Sequence, residues 1–150
     1  MICQQVMQRQ VRVVADSDPV AFAARIMNEA NIGFLPVSDA RGKVVGVLTD
    51  RDIVVRAMAT GLSPSVSVGL IMTPEVVACR PRDDLFHAQH LMRTRGTSRV
   101  LCLDDAGRPV GVISFSDVAR NEDGFRLANT ARQMVNCPPS PASYREAARR

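Results

Sequence analysis

Shifted by 65 residues, the chain aligns with itself without a gap. Met7 falls on Met72, Val11 on Val76, Asp18 on Asp83, Met27 on Met92, Gly42 on Gly107, Gly46 on Gly111 and Asp52 on Asp117. Between residues 6–55 and 71–120, eleven of fifty positions are identical, and most of the others exchange like for like. A fixed internal period dictates architecture before any local pattern does. Here it predicts two copies of one small unit. A unit of about fifty residues buries only a little over half of its unfolded surface, so the copies are expected to pack together and share core.

Composition narrows what such a chain can do. Hydrophobic residues make up 46% and charged residues 23%, as expected of a soluble globular protein. No stretch approaches the roughly twenty apolar residues of a membrane span. Met1 to Gln10 lacks a basic region followed by a long apolar run, so no secretory signal is read there. The net charge is +4, and the stretch Arg120 to Arg150 supplies most of it, with six Arg against Glu122, Asp123 and Glu146. The repeats themselves are close to neutral, and the chain has no Trp and one Tyr. Both facts argue against a nucleic-acid footprint.

Cys3, Cys79, Cys102 and Cys137 show no CxxC spacing, and Cys79 and Cys102 fall in apolar runs where a thiol acts as a small hydrophobe. Scattered thiols without a signal peptide suit a reducing cytoplasm. His87 and His90 are three apart on a predicted helix, but a metal site needs two more convergent ligands. They are read as polar-face residues.

Each copy opens with a strand, Val11–Val14 and Val76–Cys79, followed by a helix. Asp18 before Pro19 is the expected N-cap, and Asp83 its repeat. Val20, Ala23, Ile26, Met27 and Ala30 recur at helical spacing, as do Leu85, Ala88, Leu91 and Met92. A second strand follows at Phe34–Val37 and Val100–Leu103, then turns with Gly42 and Gly107 in the same place, as in a short hairpin. Third strands at Val44–Leu48 and Val110–Ile113 run into helices that start at Thr49 and Ser114. The fold class is therefore α+β, built from two β-α-β-β-α units related by a pseudo-twofold. The expected organisation is 1–62 for the first repeat with its lead-in, 63–121 for the second, and 122–150 for a helical tail.

The strongest local signal is Gly46-Val47-Leu48-Thr49-Asp50-Arg51-Asp52, echoed as Gly111-Val112-Ile113-Ser114-Phe115-Ser116-Asp117. Glycine inside a strand lets a ligand or a second backbone approach closely. The hydroxyl and the aspartate three residues on both sit at a helix N-terminus, whose N–H groups and dipole can receive an anion. A carboxylate there can also accept hydrogen bonds from a ribose diol, as the acidic residue of dinucleotide folds does. The same Thr/Ser-x-x-Asp spacing is equally the form of a capping box, whose task is to start the helix. Both readings stand at this point.

With both strings, the run Phe34-Leu35-Pro36-Val37-Ser38-Asp39, the openings Val6-Met7 and Ile71-Met72-Thr73-Pro74, and the 65-residue repeat, the chain resembles a tandem pair of CBS domains, or Bateman module, over residues 6–120. The resemblance implies binding of adenosine-containing ligands (AMP, ADP, ATP, NAD or S-adenosylmethionine) in clefts between the repeats. It implies regulation of a separate protein target, with no catalytic cofactor. Carried over, Thr49 and Asp52 would meet phosphate and ribose in one site, Ser114 and Asp117 in the other. Val11, Phe34, Leu35 and Pro36, then Val76, Arg99, Val100 and Leu101, would enclose the adenine, with Met7 and Met72 helping to wall it. The resemblance also implies a homodimer formed through helices.

The two sites differ. Arg51 lies inside the first motif and could pair with a phosphate, where the second has Ser116. Arg99 stands where the first copy has Phe34, and Leu101 replaces Pro36, a departure from the family's pattern. The first site is expected to bind at least as tightly as the second. Beyond Asn121 an amphipathic helix is expected over Phe125–Val135, broken at Cys137-Pro138-Pro139, followed by a loose end or a second short helix. No Ser/His/Asp or Cys/His set, P-loop or GxGxxG accompanies the repeats, so no enzyme activity is expected. The alternative to a sensor is a dimerisation or docking scaffold with empty clefts. Which nucleotide, which target and which dimer orientation apply lies outside what the sequence specifies.

Overall fold

A computed structural model describes residues 1–137 of the 150. The fold is α+β, and the 65-residue repeat becomes two three-stranded sheets of identical topology. In the first, β1 (Val14–Ala15) runs parallel to β2 (Phe34–Ser38), joined through α1 (Val20–Ala30), and β2 pairs antiparallel with β3 (Val44–Thr49). In the second, β4 (Ala78–Cys79), α4 (Leu85–Arg95), β5 (Arg99–Leu103) and β6 (Pro109–Ser114) repeat that order. Helix α2 (Asp50–Asp52), continued by π-helical Ile53–Met58, and α3 (Val68–Ile71) follow the first sheet. Helices α5 (Phe115–Ala119) and α6 (Gly124–Asn136) follow the second.

Local detail repeats with the fold. Helix α1 ends on Asn31 and α4 on Gly96, positions 65 apart that both take a left-handed conformation (φ 52° and 59°). The hairpin glycines Gly42 and Gly107 have φ of 79° and 76°, a region that side chains with a Cβ rarely adopt. Strand alternation then sorts the side chains. Leu35, Val37 and Leu48 point into one core with Val14, Val20, Ala23, Met27, Ala57, Val68 and Ile71. Val100, Cys102 and Ile113 point into the other with Leu85, Ala88, Met92 and Val118.

The first strands are shorter than expected: only Val14–Ala15 and Ala78–Cys79 pair, with Val37–Ser38 and Leu101–Cys102 respectively. The helix caps also lie one residue on. Pro19 caps α1 and Asp84 caps α4, its carboxylate accepting from the Phe86 N–H at 2.8 Å. Asp18 and Asp83 instead close the preceding turn, accepting from the N–H of Ala15 and of Arg80 at 2.8 and 2.7 Å. Helix α6 forms where a tail helix is expected and extends one residue at each end; the stretch from Pro138 on lies outside the described residues.

Two compact units result, and neither follows chain order. One comprises Arg12–Val76 with Ala106–Arg108; among the described residues the other comprises Met1–Val11, Val77–Asp105 and 109–137. Each sheet is thus covered by a lead-in that precedes the other copy in sequence. In the first unit, Val47 and Thr73 exchange backbone hydrogen bonds of 2.8 and 2.9 Å. In the second, Gln8 and Val112 do the same at 2.9 and 3.0 Å.

Candidate functional site

Both motif glycines face the strand-covering lead-in of their own unit. A Cβ on Gly46 would lie 2.8 Å from the Thr73 carbonyl oxygen and 2.7 Å from Met72 Sδ. A Cβ on Gly111 would run into Met7, 2.7 Å from its Cγ. The glycines therefore admit a second backbone and a methionine, the alternative that a strand glycine always carries. Met72 is brought to the first motif and Met7 to the second, a pairing that only the exchanged lead-ins produce.

At each strand-to-helix junction the hydroxyl and carboxylate cap their own helix. Thr49 Oγ1 accepts from the Asp52 N–H at 3.1 Å, and Asp52 Oδ2 accepts from the Thr49 N–H at 3.0 Å. Ser114 and Asp117 repeat the reciprocal pair at 3.2 and 2.9 Å, and the Ser114 hydroxyl also donates to Asp117 Oδ2 at 2.6 Å. Other N–H groups of the first helix mouth are engaged too: Asp50 donates to the Gly33 carbonyl at 3.1 Å and Arg51 to Asp50 Oδ1 at 2.8 Å. At the second mouth the Phe115 N–H donates to the Ser98 carbonyl at 2.8 Å. The open anion-receiving mouth expected from the sequence is thus already satisfied internally, by the capping-box geometry that the same spacing permits.

The two carboxylates differ in their second oxygen. Asp52 Oδ1 faces the Arg56 guanidinium at 3.7 Å, one helical turn on, while Arg56 also donates to the carbonyls of Ile71 and Met72 at 3.0 and 3.1 Å. Asp117 Oδ1 accepts from Gln8 Nε2 and from Arg120, each at 3.0 Å. Asp117 is also the more enclosed, at 4% exposure. Burial pushes its carboxyl pKa up, but the hydrogen bonds from Ser114 and Gln8 and the charge of Arg120 outweigh that and leave it below the ordinary value.

The strand residues expected around an adenine divide between the faces of their sheets. Phe34 lies opposite Thr49, and Arg99 opposite Ser114, so each motif does gain a second-strand neighbour. Leu35 and Val100, however, point into the cores with no exposed surface, because alternation sends every second side chain inward. Pro36 and Leu101 are buried on the opposite side of their strands, Val11 and Val76 are half-buried beyond the strand ends, and Arg51 is exposed. Gln8, Arg56 and Arg120 are additions. Arg56 and Arg120 were detectable as cations four and three residues after the aspartates, on the same helical face. Gln8, 109 residues from Asp117, gave no such signal.

His87 and His90 are both exposed on α4, and the described residues contain no group of three or more His, Cys, Asp or Glu able to hold a metal. Nor, among them, is any helix long and apolar enough to cross a membrane.

Comparison with known proteins places this geometry in context. The CBS domain profile matches residues 3–58 and 68–124. The CBS domain-containing protein YhcV of Bacillus subtilis (strain 168) is 32% identical over 135 residues, covering 87% of this chain and 95% of that protein. A conserved CBS domain protein from Thermoplasma acidophilum, TA0289, superimposes with a TM-score of 0.78 at 25% identity, over 91% of this chain and 78% of that one. The CBS domain pair of protein MJ0100, solved in complex with 5′-methylthioadenosine and S-adenosyl-L-methionine, superimposes with a TM-score of 0.69 at 28% identity, over 81% and 94% of the two chains.

Proposed function

The chain belongs to the CBS domain family and carries two copies of that domain, and from this premise we propose that it is a regulatory module whose occupancy by an adenosine-containing ligand alters its affinity for a protein target. The observation that carries this proposal is the likeness to the MJ0100 domain pair, which holds two adenosine derivatives. AMP, ADP, ATP and NAD extend the candidates to the same chemical class. The expected contacts are those of the two motifs: Thr49, Asp52 and Arg51 with Phe34 and Pro36, and Ser114 and Asp117 with Arg99 and Leu101.

A ribose need not break the helix cap to bind. Asp52 can keep Oδ2 on the Thr49 N–H and turn Oδ1 from Arg56 to a ribose hydroxyl, exchanging a 3.7 Å ion pair for a hydrogen bond. Asp117 must first release Gln8 or Arg120 from an oxygen that accepts two bonds. The first motif is therefore the tighter site. A ligand shifts the module between two states only by its differential affinity for them, typically about 1–3 kcal/mol.

A second reading is a docking scaffold that uses no ligand. It is favoured by the complete internal satisfaction of both caps, and by the exposed apolar side chains Val54, Met58 and Leu70 on the first unit, a surface suited to a second copy or a partner. Thermal melts separate the two. A selective ligand at one hundred times its Kd stabilises the folded state by about 2.7 kcal/mol, so millimolar AMP, ATP, NAD or S-adenosylmethionine should raise the midpoint. Titration calorimetry on Asp52→Asn and Asp117→Asn then ranks the sites, with the larger loss expected from Asp52→Asn. No shift with any of the four compounds leaves the scaffold.

A further inference from the structure

Three of the four cysteines, 76 and 23 residues apart in sequence, meet in the core of the second unit. Cys79 Sγ lies 3.6 Å from Cys3 Sγ and 3.5 Å from Cys102 Sγ. Cys79 and Cys102 are paired positions on the parallel strands β4 and β5. Cys3 comes from a three-residue turn of 3-10 helix (Cys3–Gln5) in the lead-in and closes over them. All three are at most 4% exposed. Scattered in the sequence, these thiols read as separate small hydrophobes; folded, they form one sulfur cluster.

We propose that this cluster is an oxidation site, at which a hydroperoxide converts Cys3 and Cys79 to a disulfide that fastens the lead-in to the strand beneath it. The distances favour it. Closing 3.6 Å to the roughly 2.05 Å of a disulfide moves each sulfur by about 0.8 Å, within reach of side-chain rotation. Cys79 donates to Cys3, and the Cys3 S–H in turn points at the Asp84 carbonyl at 3.7 Å, so the three sulfurs form one chain of contacts. The neighbouring Cys102 and Cys79 thiols draw the Cys3 pKa down despite its burial. Contact with Cys3 and burial push that of Cys102 up, and contacts with Cys102 and Cys3 together with burial push that of Cys79 up.

Access comes from the lead-in itself. The turn is held by the Cys3 and Gln4 N–H groups on the carbonyls of Asp83 and Pro81, both at 2.8 Å, and by the Met1 carbonyl on the Leu85 N–H at 2.9 Å. A three-residue turn held by these few backbone bonds opens at less than the global unfolding free energy. Opening carries Cys3 to solvent and leaves Cys79 and Cys102 on their strands, so oxidation starts at Cys3.

The thiolate of Cys3 attacks one peroxide oxygen, the O–O bond breaks, and hydroxide leaves as water after taking a proton. Cys3 is then a sulfenic acid. When the turn closes, the sulfur of Cys79 attacks Cys3 Sγ, the S–O bond breaks, and the second oxygen departs as water with the Cys79 proton. Two thiols have lost two electrons, and hydrogen peroxide has been reduced to two waters (an organic hydroperoxide would give an alcohol and one water). The consequence reaches the second motif. Met7 and Gln8, five residues or fewer along the same lead-in, lie on Gly111 and Asp117, and the bond would hold them there.

The test uses the reduced full-length chain with stoichiometric hydrogen peroxide, then alkylation in denaturant and mass spectrometry of a non-reducing digest. Expected is a Cys3–Cys79 linked peptide pair within one chain, loss of two thiols, and Cys137 alkylated. Cys102→Ser should retain the link, and dithiothreitol should reverse it. Amide exchange of residues 3–8 should slow at least tenfold in the oxidised chain. No loss of thiols, a link confined to Cys79–Cys102 or made through Cys137, or unaltered exchange would each overturn the proposal.

Discussion

Replacing Asp117 by alanine removes one carboxylate but orphans several donors, and its consequence can be worked out atom by atom. Loss of the reciprocal cap on α5 costs about 1 kcal/mol. The half-buried Ser114 hydroxyl then loses its acceptor, where an unsatisfied donor costs about 1–3 kcal/mol, while the exposed Gln8 amide turns to solvent. Arg120, 70% exposed, turns to solvent and adds about 0.5 kcal/mol at most. Allowing for partial relaxation, Asp117→Ala should destabilise by about 2–4 kcal/mol. Asp52→Ala is the internal control. It loses an equivalent cap, but Arg56 keeps its bonds to the carbonyls of Ile71 and Met72, so about 1–2 kcal/mol is expected. Urea unfolding of ligand-free protein measures both, provided the m-values match that of the parent chain. An Asp52→Ala cost equal to or above that of Asp117→Ala would refute the assignment of the Ser114 hydroxyl and the buried cap as the distinguishing contacts.

The lowered pKa of Asp117 also fixes a pH response. Its stabilisation is fully present above the unfolded carboxyl value of about 3.9 and is lost as pH falls through the lower folded value. The stability difference between parent and Asp117→Asn should therefore be constant at neutral pH and shrink below about pH 4; a difference that grows on acidification would contradict the direction of the shift. Gly46→Ala should cost about 1–3 kcal/mol, because the new Cβ meets the Thr73 carbonyl, a backbone atom held by its exchange with Val47. A lowered melting midpoint checks this, and an unchanged one would mean that the lead-in is not fixed on β3.

The elements that depend on near neighbours in the chain were legible before any coordinates. Periodicity in Val20–Ala30, glycine at 42 and 107, and the Gly-x-x-Thr/Ser-x-x-Asp strings specify helices, turns and capped junctions, because each is set by backbone stereochemistry and contacts a few residues apart. Errors at this level were small and local. Asp18 has a capping side chain, but one residue too early, so it closes a turn instead. For the motif itself, the spacing left both cap and ligand contact open, since both use the same atoms.

What the chain alone determined is a duplicated α+β unit with matched caps and turns, because a repeat copies every local interaction along with the residues that make it. Tertiary structure alone decided which lead-in covers which sheet, that Gln8 rather than a neighbour in sequence meets Asp117, and that Cys3 joins Cys79 and Cys102. These contacts span up to 109 residues. Their free energy comes from burial and from satisfying donors in a closed interior, quantities that no window of sequence contains.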